Sequence, residues 1–398
     1  MKNYILILFS LSSLIYCNII EKIVIHGNNI TREQTILDLI SHTEGDSVNV
    51  KQAIADQEIL FNTGLFYDAI IYPDSSVYNI ILFEKPKKIF RPDFDKDDFL
   101  GWSYGASMLF NNIQGKNRKL KFNTLIGASN AIGIKYCDPK LKQTKDSLNI
   151  SVHYKFYDNF QEGYEIYSNT IESSMSFLTD KPLHQIKILN ETKYSRLFFN
   201  NGQNEKNYFT INSIIYQYKT KKNQFDLKFS SNLFKKTYEN YLSVKFENKF
   251  YIYFDKELKS GRLLIQNKGY FNFANNIPIY QKEYLINENY IRGYNINNLP
   301  EKLNNQNSLL WNNIITSTIQ IELPFHKTNF ISTDLLLFWD WGIASNKYKV
   351  FNYDNKLKSY GLGIRYHVDK MGSVDICIGV NPINSKKEIQ GIVNFKNF

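Results

Sequence analysis

Gly101-Trp102-Ser103-Tyr104-Gly105 spells G-x-S-x-G, the spacing of a hydrolase nucleophile elbow. An elbow needs a strand-turn-helix context and a His and an acid brought to the serine. Here Gly101, Ser103 and Gly105 fall on one face of an alternating stretch with no helical period after it, so Ser103 reads as a wall residue. The six histidines, at 26, 42, 153, 184, 326 and 367, show no metal-ligand spacing. No P-loop or dinucleotide fingerprint is present. Catalysis, a metal and a cofactor are therefore not expected. Cys137 and Cys377 stand far apart with no motif around them and read as small strand residues. Arg292, in Tyr290-Ile291-Arg292-Gly293-Tyr294, is different. A guanidinium is permanently charged and planar, and away from water it needs a carboxylate. Asp340, in Phe338-Trp339-Asp340-Trp341-Gly342, lies on the polar side of an alternating strand. A charge-assisted, bidentate bond between the two would pin the segment around Arg292, and Gly293 would let its backbone turn or approach a wall closely. The alternative is a solvated arginine in an outer loop.

The elements that must position these residues follow from composition and period. The chain has 398 residues, net charge +10, 43% hydrophobic residues, 28 Tyr and 29 Phe. Its mean hydropathy is nevertheless −0.37. That much apolar material excludes a disordered chain, and three cysteines exclude a disulfide scaffold. No apolar run of about 18 residues follows the N-terminus, which excludes a helical membrane protein. Residues 1–17 pair a short basic start with an apolar stretch and read as a secretory signal peptide; a lipid-modified Cys17 is a rival reading. Residues 20–86 read as a small α+β module. IEKIVIHGN gives a strand and turn, Thr31 caps a first helix, 48–62 form a second, and 67–73 with 78–86 form a hairpin, in the order β-α-α-β-β.

From residue 99 to 398 the period is that of strands. Tyr360, Leu362, Ile364, Tyr366 and Val368 point one way; Ser359, Gly361, Gly363, Arg365 and His367 point the other. Val374 to Val380 and Leu148 to Phe156 repeat the pattern. Sixteen such strands are expected, at 99–110, 118–128, 131–137, 147–157, 164–174, 184–198, 207–219, 222–234, 240–254, 262–273, 279–286, 307–323, 329–341, 357–368, 372–381 and 387–398. Nothing is left over to cover the apolar faces of so many strands. Closing the sheet in lipid removes both the open edges and the need for a covering layer. The expected fold is mainly β, a sixteen-stranded antiparallel transmembrane β-barrel preceded by the α+β module. Trp102, Trp311, Trp339 and Trp341 are candidates for interfacial aromatic girdles. A soluble sandwich or propeller is the alternative.

Two resemblances sharpen this reading. The module, through "IVIHGNNITREQTIL", "LFNTGLFYDAIIYP" and "FEKP", resembles a POTRA (polypeptide-transport-associated) domain, which implies a periplasmic place and client capture at a sheet edge. The succession "YIRGY", "TIQIELPF", "FWDWG" and "SYGLGIRY", with terminal Phe398, resembles the BamA/TamA-like outer-membrane assembly superfamily, or bacterial surface antigen barrels. The resemblance implies that Ile291, Arg292, Gly293 and Tyr294 form a lumen loop. It also implies that Arg292 pairs with Asp340 and with an acid on the strand after the loop. Aligning on Pro324 places Gln320 at that position and Glu322 two residues on, so either could be the second partner. Phe338 and Gly342 match the family's F-x-D-x-G strand, and Phe398 its C-terminal targeting residue. The sequence departs at Asn287-Glu288-Asn289, where a glycine pair is usual, and at Lys396, where an apolar residue is.

The implied function is non-enzymatic insertion or translocation of β-rich proteins at the bacterial outer membrane. Its implied partners are unfolded clients at the POTRA edge, outer-membrane lipids or lipopolysaccharide, and accessory periplasmic or lipoprotein subunits. Lysines 219, 221, 222, 235, 236, 386 and 387 fall in turns and suit anionic headgroups; no nucleic-acid recognition module is present, so no nucleic-acid partner is expected. A two-partner-secretion transporter and a passive porin-like barrel are the alternatives. One visible module favours assembly over secretion.

Overall fold

The computed structural model describes residues 19–97, 101–140, 146–159, 163–178, 184–220, 222–235, 238–255, 261–286, 291–294, 310–328, 331–346, 356–368, 372–382 and 387–395. Residues 1–17, the Asn287–Asn289 departure, Lys396 and Phe398 lie outside them.

The N-terminal module runs β1 (Lys22–His26), α1 (Glu33–Leu37), α2 (Val50–Asn62), β2 (Phe66–Asp74) and β3 (Val77–Glu84). Its sheet has the order β1-β3-β2, with β1 parallel and β2 antiparallel to β3. The Asn49 side chain caps α2 by accepting from the Lys51 and Gln52 amides at 3.0 and 3.3 Å. Ile20, Ile36, Leu60, Phe66 and Ile80 fill the core. A polar pair, Asp56 with His42, is buried beside them. Asp56 accepts from the Ser41 hydroxyl at 2.6 Å, the Ser41 amide at 2.7 Å and the Tyr78 hydroxyl at 3.2 Å, and its Oδ2 lies 2.7 Å from His42 Nδ1. Burial alone would raise its pKa; the hydrogen bonds from Ser41 and His42 outweigh burial and hold the carboxyl below its usual range.

Among the described residues, sixteen strands form the large sheet: β4 (Lys88–Asp97), β5 (Gly101–Ile113), β6 (Arg118–Gly127), β7 (Ser129–Asp138), β8 (Ser147–Asn159), β9 (Tyr164–Leu178), β10 (His184–Phe199), β11 (Asn204–Lys219), β12 (Asn223–Phe234), β13 (Tyr241–Tyr253), β14 (Arg262–Asn272), β17 (Asn313–Lys327), β18 (Ile331–Ser345), β19 (Lys356–Val368), β20 (Gly372–Val380) and β21 (Lys387–Phe395). Each pairs with its chain neighbour in the sheet, so β4 and β21 are the ends of the order. A separate pair, β15 (Glu283–Tyr284) with β16 (Leu310–Trp311), stands outside it.

These are not the sixteen strands expected from the sequence. The stretch 279–286 is a 3-10 turn, Ile279–Gln281, followed by β15, because Pro278 starts a turn there. The sheet instead gains β4, hidden in the sequence by Pro92 and by dense charge.

The polarity of the sheet is inverted relative to that of a soluble protein. Along β18, Leu337 and Trp339 are 42% and 50% exposed while Asp340 between Trp339 and Trp341 is fully buried. Ser213 of β11 and Ser230 of β12 are buried and joined by a 2.9 Å hydrogen bond, while Ile214 and Phe229 beside them are exposed. Tyr360, Leu362, Ile364, Ile376 and Ile378 extend the exposed apolar surface over β19 and β20. So large a contiguous apolar face is unfavourable in water.

Candidate functional site

The site is built on β17 to β20, whose register stacks the critical side chains in rows. Gln320 stands opposite Phe338, Phe338 opposite Gly361, and Gly361 opposite Gly379. One step along, Thr318 stands opposite Asp340 and Asp340 opposite Ser359. Strand alternation turns all of these to the buried face. The glycines leave a trough there. A Cβ on Gly379 would lie 2.4 Å from Gly293 Cα, one on Gly361 would lie 2.5 Å from Phe338 Cζ, and one on Gly342 would lie 2.7 Å from Ile291 Cδ1. Ile291 to Tyr294 fill that trough. Gly293 has φ +84°, a left-handed conformation that L side chains rarely adopt.

Arg292 is the centre of the contact. Its Nε donates to Asp340 Oδ2 and its Nη2 to Asp340 Oδ1, both at 2.8 Å. Its backbone amide donates to the same Oδ2 at 3.2 Å, and its Nη1 to Gln320 Oε1 at 2.7 Å. Its guanidinium carbon lies 3.6 Å from the centroid of the Phe338 ring, a cation–π stack. Two carboxylate oxygens and one amide oxygen thus engage three of the five N–H donors of a planar, almost fully buried cation, and a ring covers one of its faces.

The network continues outward from Gln320. Its Nε2 donates to Glu322 Oε1 at 2.7 Å, so Gln320 contacts Arg292 directly and Glu322 stands one bond further away. Glu322 is held by Arg262 Nε through Oε2 and by Arg365 Nη1 through Oε1, the latter at 2.7 Å. Arg365 also forks onto Asp375, its direct cross-strand partner, with two bonds of 2.7 Å. On the loop's other flank, Tyr294 donates to the Lys358 carbonyl at 2.7 Å. Ile291 and Tyr294 pack with Leu285, Ile286, Trp311, Ile314, Ala344 and Leu357. Trp311 is therefore part of this buried cluster and does not belong to an exposed girdle; Trp102, Trp339 and Trp341 remain exposed.

Other sequence candidates lie elsewhere. Ser103 sits within β5, buried, and its hydroxyl accepts from the Ser129 amide at 2.9 Å. Sequence reasoning missed Arg262, Arg365, Asp375, Gly361 and Gly379. Arg365 was visible on the polar face of its strand, but its partner is defined only by the register of β19 on β20.

A pinned loop of this kind, on a sheet of this polarity, can be compared with known proteins. Residues 224–397 match an Omp85 superfamily domain, and residues 18–88 match POTRA, a surface antigen variable number repeat. The chain carries an Omp85 superfamily domain behind one POTRA domain. Among solved structures it is similar to BamA from Haemophilus ducreyi lacking POTRA domains 1–3, with TM-score 0.68 and 15% identity over 95% of this chain and 84% of that one. It is also similar to CdiB from Acinetobacter baumannii (TM-score 0.57, 16% identity, 94% and 73% covered) and to CdiB from Escherichia coli (0.57, 11%, 94% and 75%). No curated protein matches the sequence. The Omp85 match includes β17 to β20 and the whole Arg292 network.

Proposed function

We propose that this protein is an outer-membrane barrel that assists the insertion of β-rich outer-membrane proteins without covalent chemistry. The observation that carries the reading is the Arg292 loop, locked by Asp340 and Gln320 onto the buried face of an Omp85 sheet whose other face is apolar and exposed. Lipid satisfies the exposed face, and closure of β4 onto β21 satisfies the sheet ends. The pinned loop braces β17 to β20 from inside, on the same side of the sheet order as β21. The β4–β21 seam is then the place that can open to template a client strand. The first strand of that seam is β4, not the 99–110 strand expected from sequence.

The POTRA domain supplies the second element. β2 has a single neighbour in its sheet, and a cleft of about 370 Å³ beside it is lined by Gln57, Glu58, Phe61, Asn62, Asp68 and Ala69. An extended client segment would add to β2 and lay side chains against α2. The higher TM-score with BamA than with CdiB, 0.68 against 0.57 at 95% and 94% coverage of this chain, favours assembly. The likeness to CdiB supports a second reading, a transporter dedicated to one exported protein.

Depleting the protein in its host and quantifying the outer-membrane proteome separates the two. Assembly lowers many unrelated barrels together. Loss of one large exported protein with the barrels unchanged would overturn assembly in favour of transport.

A further inference from the structure

We propose that the buried face of β11 carries a binding site for a primary ammonium on a short alkyl chain, with Glu205 as its counter-ion and aromatic rings as its walls. The site needs only the fold of the large sheet, so it stands whichever of the two functions above holds.

Strand alternation sets Glu205, Asn207 and Phe209 on one face of β11. Asn207 and Phe209 are 0% and 3% exposed, so this is the buried face. Lys206 and Tyr208 point the other way and are exposed. The residue opposite Glu205 on β10 is Leu197, which is buried and apolar. No cation is therefore built beside Glu205. Among the described residues its carboxylate is engaged only through Oε2, by the Tyr238 hydroxyl at 2.8 Å and the Asn207 amide group at 3.5 Å. Oε1 accepts no hydrogen bond there, and no ion pair reaches the group. The contrast with other acids of the buried face is plain. Glu191, Glu247 and Glu322 each meet two cations. A half-buried carboxylate without a cation is costly, and a cationic ligand removes that cost.

The rings around it select the same ligand. Phe209 stacks on Phe234 with centroids 5.0 Å apart, and Phe234 meets Tyr238 at 5.6 Å and Tyr241 at 5.8 Å. Tyr280 of the 3-10 turn meets Phe209 at 5.7 Å, packs against Leu197 and lies within electrostatic reach of Glu205. Ring faces are negative and attract cations, so they do not balance an anion. Two further acceptors lack donors. Asn207 Oδ1 and the Tyr280 hydroxyl are buried and make no hydrogen bond among the described residues. With Glu205 Oε1 they form three acceptors, and an alkylammonium carries three N–H donors. A calcium ion takes about six to eight oxygens and no rings. A quaternary ammonium suits the rings but leaves the three acceptors unpaired. A sugar leaves the carboxylate without a cation. Tyr238 and Tyr280 both lie outside the strands of the sheet, one just before β13 and one in the 3-10 turn, so they can part to admit the ligand.

The test uses the full chain in phosphatidylglycerol nanodiscs, which hold no amine headgroup. The probe is n-butylammonium chloride at constant ionic strength, followed by saturation-transfer NMR against empty nanodiscs. Saturable binding is expected. Glu205→Gln keeps the shape of the side chain and weakens binding about tenfold or more, the loss of one charge-assisted contact. Phe234→Leu weakens binding too, and both variants keep the heat-modifiable gel shift of the native chain. Tetramethylammonium, which has no N–H, binds about tenfold more weakly than the probe. Displacement of the probe by lysophosphatidylethanolamine assigns the ligand to a lipid headgroup; probe binding that this lipid leaves untouched assigns it to a free amine. Absence of saturable binding, or binding that Glu205→Gln leaves unchanged, overturns the site. Equal binding of tetramethylammonium overturns the three-acceptor geometry and the primary ammonium with it. That comparison needs no variant, so it decides the matter even where Glu205→Gln fails to fold.

Discussion

The buried face of the sheet carries two charged regions of unlike construction. On β17 to β20 the cations are arginines, each meeting carboxylates in a fork or a bridge, and the central pair has side chains 7% and 0% exposed. On β10 to β14, apart from Arg262 at the end of β14, which reaches across to Glu322, the paired cations of the buried face are lysines. Glu191 meets Lys193 at 3.2 Å and Lys228 at 3.6 Å; Glu247 meets Lys249 at 3.0 Å and Lys268 at 3.9 Å. Those lysine side chains are 21% to 30% exposed, and each contact is one ammonium on one oxygen. An ammonium on a flexible stem tolerates many geometries, whereas a guanidinium fork fixes one. The contrast teaches that sheet charge alone does not make a site. The wall that holds a loop uses planar, forked pairs and glycine clearance; the other wall keeps a partly exposed, adjustable surface.

Removing the central arginine breaks the comparison most sharply. Arg292→Ala leaves Asp340 buried without its cation, and losing one partner of a buried pair costs about 3–5 kcal/mol. We expect a marked fall in the temperature at which the heat-modifiable gel shift of the folded sheet is lost, and lower abundance in membranes. An unchanged transition would show that the loop does not brace the wall. The next largest effect is steric. Gly379→Ala places a methyl where Gly293 Cα lies 2.4 Å away, and overpacking of this kind costs about 1–3 kcal/mol. Hydrogen exchange should quicken at Ile291 to Tyr294 while the amides of β10 to β14 keep their protection. Quickening spread evenly over both walls would erase the distinction between them.

The two walls were also unequally legible in the sequence. Arg292, Gly293 and Asp340 stood out through the resemblance of YIRGY and FWDWG to motifs of the bacterial surface antigen barrels; the residues alone leave a solvated loop arginine open. Gln320 and Glu322 could not be told apart, since both fall on the same face and only the register shows which reaches the guanidinium. Gly361 and Gly379 looked like ordinary small residues; their role exists only because β19 and β20 align them under Gly293. β4 was hidden because its proline and charges obscure the period, whereas 279–286 imitated one with a few apolar residues and turned out to be a turn beside a two-residue strand. Trp311 was read by type as an interfacial ring, but the loop packs over it. Local alternation is written in the chain; cross-strand neighbours are not.

Two smaller changes sharpen the contrast between guanidinium and ammonium. Arg365→Lys keeps the charge but cannot fork onto Asp375 while also reaching Glu322. Losing charge-assisted bonds without losing the charge should cost about 1–3 kcal/mol in urea unfolding from detergent micelles. A cost near zero would mean that the arginine wall is as adjustable as the lysine one.

The same experiment on the lysine wall gives the smallest expected effect. Glu191→Gln removes the shared anion between Lys193 and Lys228 while keeping the shape of the side chain. Both lysines are partly exposed, so water can take over the solvation that the carboxylate supplied. Partly hydrated pairs of this kind contribute about 0–1 kcal/mol, a value that added salt reduces further. The unfolding midpoint should therefore move little, and less at high salt than at low. A loss as large as that from Arg365→Lys would place Glu191 in a rigid network of its own. The division of the sheet into a fixed wall and a hydrated one would then fail from the lysine side.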